Sequence, residues 1–251
     1  MIGQSIHDYY WFGTSVRFLQ DASQGAELGQ GNDGRLLFNL RRFFEYIDEL
    51  GLQVTRRAAD ELHTFFRNLE KRGPEYQLSA EDAAKLGNFI ERLRDTLEAE
   101  ISGLTAFIVT PKRLEVARLL NDVTQLFPPG TFDKLPEIAR YDLAEGGKCI
   151  AFERPTSAAF HVLRATEGVL RQFYRSLAKQ KRVDLLWGKM TTDLARRRAA
   201  KPHLGLIQHL DHIRLSFRNP TQHPDKIYDI QEVQDLWSLC CEAIGRMAKA
   251  F

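Results

Sequence analysis

One segment near the end of the chain combines residue types that can transfer a proton beside a phosphate. Arg218 and Asn219 precede His223, and Pro220 and Pro224 brace the turn between and after them. A guanidinium stays protonated and grips phosphate oxygens with paired donors, whereas an imidazole titrates near neutral pH and can accept or give a proton. Asn219 can orient either group by hydrogen bonding, and the prolines restrict the backbone. These residues could therefore cleave RNA by activating a ribose 2′-hydroxyl, without a metal ion.

The same residues also have a purely structural interpretation. An arginine at a helix end and a histidine before a proline can cap backbone carbonyls, or pair with Asp225 or Asp229. Only Arg218 and His223 combine an adjoining asparagine, the end of an amphipathic helix and a capped helix after the turn. The spacing alone is not specific, because similar pairs recur at Arg56 or Arg57 with His63, Arg154 with His161, and Arg196, Arg197 or Arg198 with His203.

The segment from Arg218 to Pro224 resembles the signature of HEPN domains, in which an arginine, often followed by a polar residue, precedes a histidine in a turn between late helices of a bundle. Four residues separate Arg218 from His223 here, and Asn219 is the polar residue. The resemblance implies a metal-independent endoribonuclease that leaves a 2′,3′-cyclic phosphate and a 5′-hydroxyl. It also implies a homodimer with a composite active site, and a bacterial toxin–antitoxin or antiphage defence system as the setting.

RNA, either tRNA or mRNA, is the substrate that the resemblance implies, with an antitoxin or an activating protein as a further partner. HEPN toxins paired with nucleotidyltransferase antitoxins commonly place a tyrosine, which is modified, two residues after the motif histidine. Asp225 holds that position here and the nearest tyrosine is Tyr228, so we do not expect silencing by this route. Two other functions stay open: a non-catalytic HEPN subunit that binds nucleotide or RNA in a larger complex, and a structural helical adaptor.

A helix predicted to begin near Pro155 carries a carboxylate in its apolar stripe. Glu167 falls between Phe160 and Leu170 in that stripe, where burial is costly without a partner. The resemblance makes Glu167 a candidate for the extra polar residue that HEPN sites take from an earlier helix. A core ion pair with a basic partner is the alternative. The auxiliary candidates are therefore Glu167, His161 and Arg164.

Charge is divided unequally along the chain. Residues 151–251 hold 17 Lys and Arg against 10 Asp and Glu, whereas the whole chain has a formal net charge of only +2. A basic half is compatible with a polyanionic partner, and a solvated basic face is the alternative. The candidates for contacts with RNA phosphates are Arg196, Arg197, Arg198 and Lys201, with a second edge at Lys179, Lys181 and Arg182.

Other chemistry is not expected from the sequence. His203, His209 and His212 lack a convincing fourth ligand for a metal site, and no nucleotide-binding glycine pattern is present, so we predict neither metal nor cofactor. No apolar run approaches the roughly 18–20 residues needed to span a bilayer, and the first residues lack the layout of a signal peptide. We therefore expect a cytoplasmic protein with no membrane partner.

Apolar residues at spacings of three and four predict helices along most of the chain. The glycine-rich stretch 25–34 predicts a loop, and residues 105–111 predict a short strand or an extended connector. The expected fold is all-α, with an N-terminal helical module (1–108), a connector (109–135) and a HEPN helical bundle (136–251). The predicted helices run from Arg35 to about Gly51, Thr55 to Lys71, Ser79 to Ile101, Pro155 to Lys179, His203 to Arg218, and from Asp229 onwards.

Overall fold

A computed structural model describes residues 5–179 and 185–251 of the chain. Over these residues the fold is all-α, as the sequence predicts, and the described chain contains no β-strand beyond an isolated bridge between Glu27 and Gln77. Residues 104–112 form neither helix nor strand, which confirms the extended connector and not the short strand. The chain divides there into two compact units, Met1–Phe107 and Ile108–Phe251.

The first unit contains five helices in its described part. Ser5 and Asp8 close a capping box at the start of the first helix, and Ser79 caps the last by accepting the Asp82 N–H. Gly51 follows the second helix with a φ of +67°, a conformation that glycine adopts without a Cβ clash. The helices are α1 (Ile6–Gln20), α2 (Leu36–Glu49), α3 (Gln53–Ala58), α4 (Asp60–Glu70) and α5 (Ala80–Ser102).

The predicted helix from Thr55 to Lys71 is wrong as one element. It starts earlier, at Gln53, and breaks at Ala59, so that α3 and α4 are separate. The Glu100 carboxylate accepts the N–H groups of Val54 and Thr55, at 3.0 and 2.8 Å, and so satisfies donors at the start of α3 that have no partner within the helix. This contact comes from the end of α5, which local periodicity does not reveal.

The second unit is a bundle in which α7, α8 and α12 pack around buried residues such as Phe173 and Trp237. Pro155 opens α8, and Asp229 caps α12 by accepting the N–H groups of Gln231 and Glu232, so both predicted starts are confirmed. The helices are α6 (Val116–Asn121), α7 (Glu137–Ala151), α8 (Pro155–Ala178), α9 (Trp187–Arg196), α10 (Leu204–Ile213), the short α11 (Asn219–Thr221) and α12 (Ile230–Ala248).

Short 3₁₀ segments link several of these helices, at Val123–Leu126, Phe132–Lys134 and Arg198–His203. Within the described ranges, no helix has both the length and the apolar character that a membrane span requires.

Candidate functional site

A π-helical turn carries the motif arginine. The sequence predicts one continuous helix from His203 to Arg218, but α10 ends at Ile213 and Arg214–Arg218 widen into a π turn, in which the Asn219 N–H donates to the Arg214 carbonyl. Pro220 explains the change, because proline has no N–H and its ring clashes with the carbonyl four residues earlier. Single π turns inside helices occur often at functional sites.

Two buried hydroxyls hold the end of this π turn. The hydroxyl oxygens of Tyr228 and Thr221 lie 2.7 Å apart. Both donate to the carbonyl oxygen of Phe217, the residue before Arg218, Tyr228 at 3.1 Å and Thr221 at 2.7 Å. Tyr228 is buried, and burial raises the pKa of its phenol. The segment after the motif thereby fixes the backbone from which Arg218 projects.

Glu167 of α8 contacts the motif arginine. Its Oε2 lies 3.5 Å from Arg218 Nη2, and its Oε1 accepts a hydrogen bond of 2.9 Å from Arg171. The Glu167 side chain is 17% exposed, so the two guanidinium groups offset the cost of burying most of its charge. The structure therefore brings Glu167 to Arg218, an arrangement compatible both with an auxiliary residue and with a core ion pair.

A cleft of about 570 Å³ adjoins the π turn. Its lining comes from α9, the segment before it, the π turn and α11, and it includes four cationic side chains. The Asp193 carboxylate in this wall accepts hydrogen bonds from Arg197 and from the Tyr174 hydroxyl, which lower its pKa. The charged residues that line the cleft are Lys189, Asp193, Arg196, Arg214 and Arg218, and Asn219 adds an amide beside them.

The predicted RNA contacts separate in the structure. Arg196 lines the cleft, whereas Arg197 binds Asp193 and lies over the Tyr174 ring, 5.8 Å from its centroid. Arg198 and Lys201 are exposed on the 3₁₀ segment and are not part of the cleft wall. Lys179 is exposed at the end of α8, and Lys181 and Arg182 lie outside the described residues.

His223 stands apart from the cleft. Its side chain is exposed, does not line the cavity, and forms neither hydrogen bond nor ion pair within the described part of the chain. The backbone N–H of His223 donates to the Pro220 carbonyl at 2.8 Å, which closes the turn. Asp229 caps α12 and does not pair with His223. The motif thus presents Arg218 and Asn219 to the cleft and His223 to solvent.

The other two auxiliary candidates serve a different carboxylate. His161 Nδ1 lies 3.0 Å from Asp142 Oδ1, and Arg164 Nε donates to Asp142 Oδ2 at 2.6 Å. Asp142 is completely buried on α7, and its hydrogen bonds with Arg164 raise the pKa of that guanidinium. His161 and Arg164 therefore hold α8 against α7 through Asp142, a partner that helical periodicity does not reveal.

The three histidines considered for metal binding have separate surroundings. His203 packs edge-on against the Phe173 ring, His209 Nδ1 lies 3.8 Å from a Glu242 carboxylate oxygen, and His212 lies beside Ser216. Among residues 5–179 and 185–251, no three or more His, Cys, Asp or Glu side chains gather as a metal site would require.

Sequence reasoning missed the cleft residues Lys189 and Arg214 because neither belongs to a recognisable motif. Their signal is indirect: Arg214 lies four residues before Arg218 in the same predicted helix, and Lys189 is a basic residue in the segment before that helix. Chemically, the cleft offers a positive field and planar donors, which suit an anionic ligand.

Comparisons of the chain with protein-family models, curated proteins and solved structures give no match.

Proposed function

We propose that this protein is a metal-independent endoribonuclease of HEPN type that cleaves tRNA or mRNA. The observation that supports the proposal most is the position of Arg218, which projects from a π turn into the wall of a basic cleft and also contacts Glu167. Arginine in such a position can bind the scissile phosphate and oppose the charge that develops on it during cleavage.

His223 supplies proton transfer in this mechanism. A base removes the proton from a ribose 2′-hydroxyl, and the resulting oxygen attacks the adjoining phosphorus. The bond from phosphorus to the 5′-oxygen breaks, an acid protonates that oxygen, and the products are a 2′,3′-cyclic phosphate and a 5′-hydroxyl. An imidazole can both accept and give a proton, so His223 can fill either role.

The second proton-transfer group comes from a second copy of the chain in this proposal. His223 is exposed and does not line the cleft, and a homodimer that brings two motifs together would supply an acid and a base. The setting is a bacterial toxin–antitoxin or antiphage system, in which an antitoxin or activating protein controls the activity.

The test is cleavage of total RNA and of a tRNA pool in EDTA by the purified protein. We expect the parent to cut and to leave cyclic phosphate ends, and Arg218→Ala and His223→Ala to lose this activity while keeping the fold. Arg175→Ala and His212→Ala are matched controls, because both residues are exposed in the same unit and lie outside the cleft. Parental activity in His223→Ala would refute the assignment.

The same observations favour a second candidate function, a non-catalytic subunit that binds RNA or nucleotide. It is suggested by the exposure of His223 outside the cleft that contains Arg218. Under this alternative the folded protein binds RNA, leaves it intact in every condition, and loses binding in Arg218→Ala but not in His223→Ala.

A further inference from the structure

We propose that the cleft beside Arg218 is a subsite for a second phosphate of the RNA strand, and that Arg214, Lys189 and Arg196 bind it. This inference rests on the proposed function, because it takes the phosphate at Arg218 as the scissile one. The phosphate in the subsite belongs to the neighbouring nucleotide of the same single strand. The subsite would therefore fix the position of the strand before cleavage.

The charge balance of the cleft supports an anionic ligand. Lys189, Arg196 and Arg214 add three positive charges beside Arg218, and Asp193 is the one carboxylate in the described wall. From outside that wall, Arg197 pairs with Asp193, whereas Asp211 pairs with Arg214 and Glu167 with Arg218. These five cations outnumber the three carboxylates. The cleft therefore keeps a net positive field, which attracts phosphates.

Arg214 is positioned and not merely present. The Arg214 Nε donates a hydrogen bond of 2.9 Å to Asp211 Oδ1. The same carboxylate oxygen accepts a hydrogen bond of 3.2 Å from the Thr191 hydroxyl. Arginine held through Nε can direct its two terminal nitrogens toward a phosphate.

Gly188 provides the space for this arginine. A Cβ at position 188 would lie 3.3 Å from three atoms of the Arg214 guanidinium group, which is tighter than ordinary van der Waals contact. A larger side chain there would push the guanidinium aside without removing its charge. The start of α9 is thus shaped around Arg214.

The size of the cleft indicates what can enter. A volume of about 570 Å³ lies within the range of small-molecule sites, so the cleft suits one nucleotide unit and not a duplex. Two sources of such a unit are possible, a free nucleotide or one residue of a strand. Arg218 and Asn219 line the same cleft, which favours a strand that continues from the motif.

The experiment measures binding separately from cleavage. Fluorescence anisotropy in EDTA follows labelled single-stranded RNA whose 2′-hydroxyls are methylated, so that no 2′-hydroxyl attack is possible. We compare the parent with Arg214→Ala and with Gly188→Val, which displaces Arg214 but keeps its charge. Arg175→Ala is the control, because it removes one exposed charge outside the cleft.

Both test variants should weaken binding by roughly tenfold, the expected effect of losing one charge-assisted hydrogen bond. Arg214→Ala should also make the log–log salt dependence shallower by about 0.7, the value for one phosphate contact on a single strand. The control should change affinity by less than about twofold. If Arg214→Ala does not fold, Gly188→Val together with Lys189→Gln carries the same comparison.

The outcomes separate this inference from the proposed function. Binding that depends on Arg214 in a protein that cuts no RNA supports a phosphate site at Arg214, and it refutes the ribonuclease together with the scissile role of the phosphate at Arg218. Cleavage with parental affinity in both Arg214→Ala and Gly188→Val supports the ribonuclease and overturns the subsite. A free nucleoside triphosphate that competes as strongly as a four-nucleotide strand assigns the cleft to a mononucleotide and overturns the strand assignment.

Discussion

The Tyr228 hydroxyl reaches back across the motif to the carbonyl of Phe217, 3.1 Å away, and so links the start of α12 to the residue before Arg218. Thr221 shares this contact, since its hydroxyl lies 2.7 Å from the same carbonyl oxygen. Both side chains are buried. The turn that presents Arg218 and His223 is therefore held from behind by side chains, in a region where Pro220 prevents regular helical hydrogen bonding.

Tyr228→Phe removes the buried hydroxyl and nothing else. We expect a loss of about 1 kcal/mol of stability, the usual net value of one hydrogen bond. We also expect slower RNA cleavage under conditions in which the variant is still folded, because Arg218 is less well positioned. Thermal unfolding and cleavage rates of the purified variant measure both effects. Tyr141→Phe is the control, because Tyr141 is exposed on α7. Equal cleavage by Tyr228→Phe and the parent would show that the turn needs no such support.

The sequence predicts those parts of the fold whose signal is local. Helices α5, α8 and α12 combine a continuous apolar face with a cap or a proline at the start, and α2 has the apolar face without a side-chain cap. The existence of all four helices follows from periodicity. Helix α1 gives a weaker pattern, since its aromatic residues such as Tyr10 and Trp11 remain exposed. The break at Ala59 is not predicted from periodicity, because the start of α3 is capped by Glu100 from another helix.

The candidate site was predictable only in part for the same reason. Arg218, Asn219 and His223 are adjacent in sequence, and Glu167 was noticeable as a carboxylate in an apolar stripe. The widening of the helix at Arg214 depends on how the backbone accommodates Pro220, and the cleft depends on the approach of α9 to that turn. Tertiary packing decides the cleft, and helical periodicity encodes neither feature.

Gly147 tests the close approach of α6 to α7. A Cβ there would lie 2.7 Å from Val123 Cγ1 and 2.8 Å from the Leu119 carbonyl oxygen, and the backbone atom cannot yield cheaply. Gly147→Ala should therefore destabilise the protein by about 1–3 kcal/mol, measured by urea unfolding. The matched control is Gly245→Ala in α12, where a Cβ meets nothing within 4 Å. That variant should gain up to about 1 kcal/mol from helix propensity, and a loss as large as that of Gly147→Ala would contradict the steric explanation.

The ion pair between Asp142 and Arg164 predicts that removing one partner costs more stability than removing the other. Arg164→Ala leaves a completely buried carboxylate with His161 as its remaining side-chain partner among the described residues. Because the lost guanidinium is largely exposed to solvent, we expect a cost of about 1–3 kcal/mol, the penalty of a buried polar group that loses its partner. Asp142→Asn removes the buried charge and leaves an arginine whose side chain is 58% exposed, so its cost should be smaller. Unfolding free energies of the two variants give the comparison. A larger loss in Asp142→Asn than in Arg164→Ala would show that the carboxylate is not the group that requires a partner.

His209 predicts a pH dependence of stability. Its side chain is 14% exposed, and its Nε2 is buried without a hydrogen-bond partner among the described residues. Burial lowers the pKa of this imidazole below its ordinary value of 6.5, and the charges of Arg246 and His212 act in the same direction while Glu242 opposes them. The unfolded chain therefore binds a proton at a higher pH than the folded chain does.

The contribution of neutral His209 to the free energy of unfolding should accordingly be fully present above pH 6.5. It should fall as the pH drops from there toward the lower pKa of folded His209. The measurement is the free energy of unfolding in urea at about pH 7.5 and about pH 5.5. His209→Gln should reduce the difference between these two values, because it removes the group that titrates. His223→Gln replaces an exposed histidine that does not act on His209, and it should keep the parental difference. The carboxylates with lowered pKa, such as Asp193 and Glu100, lose their contribution below their ordinary values of 3.8 for aspartate and 4.5 for glutamate, and so do not act in this interval. An unchanged pH dependence in His209→Gln would therefore place the titrating group elsewhere.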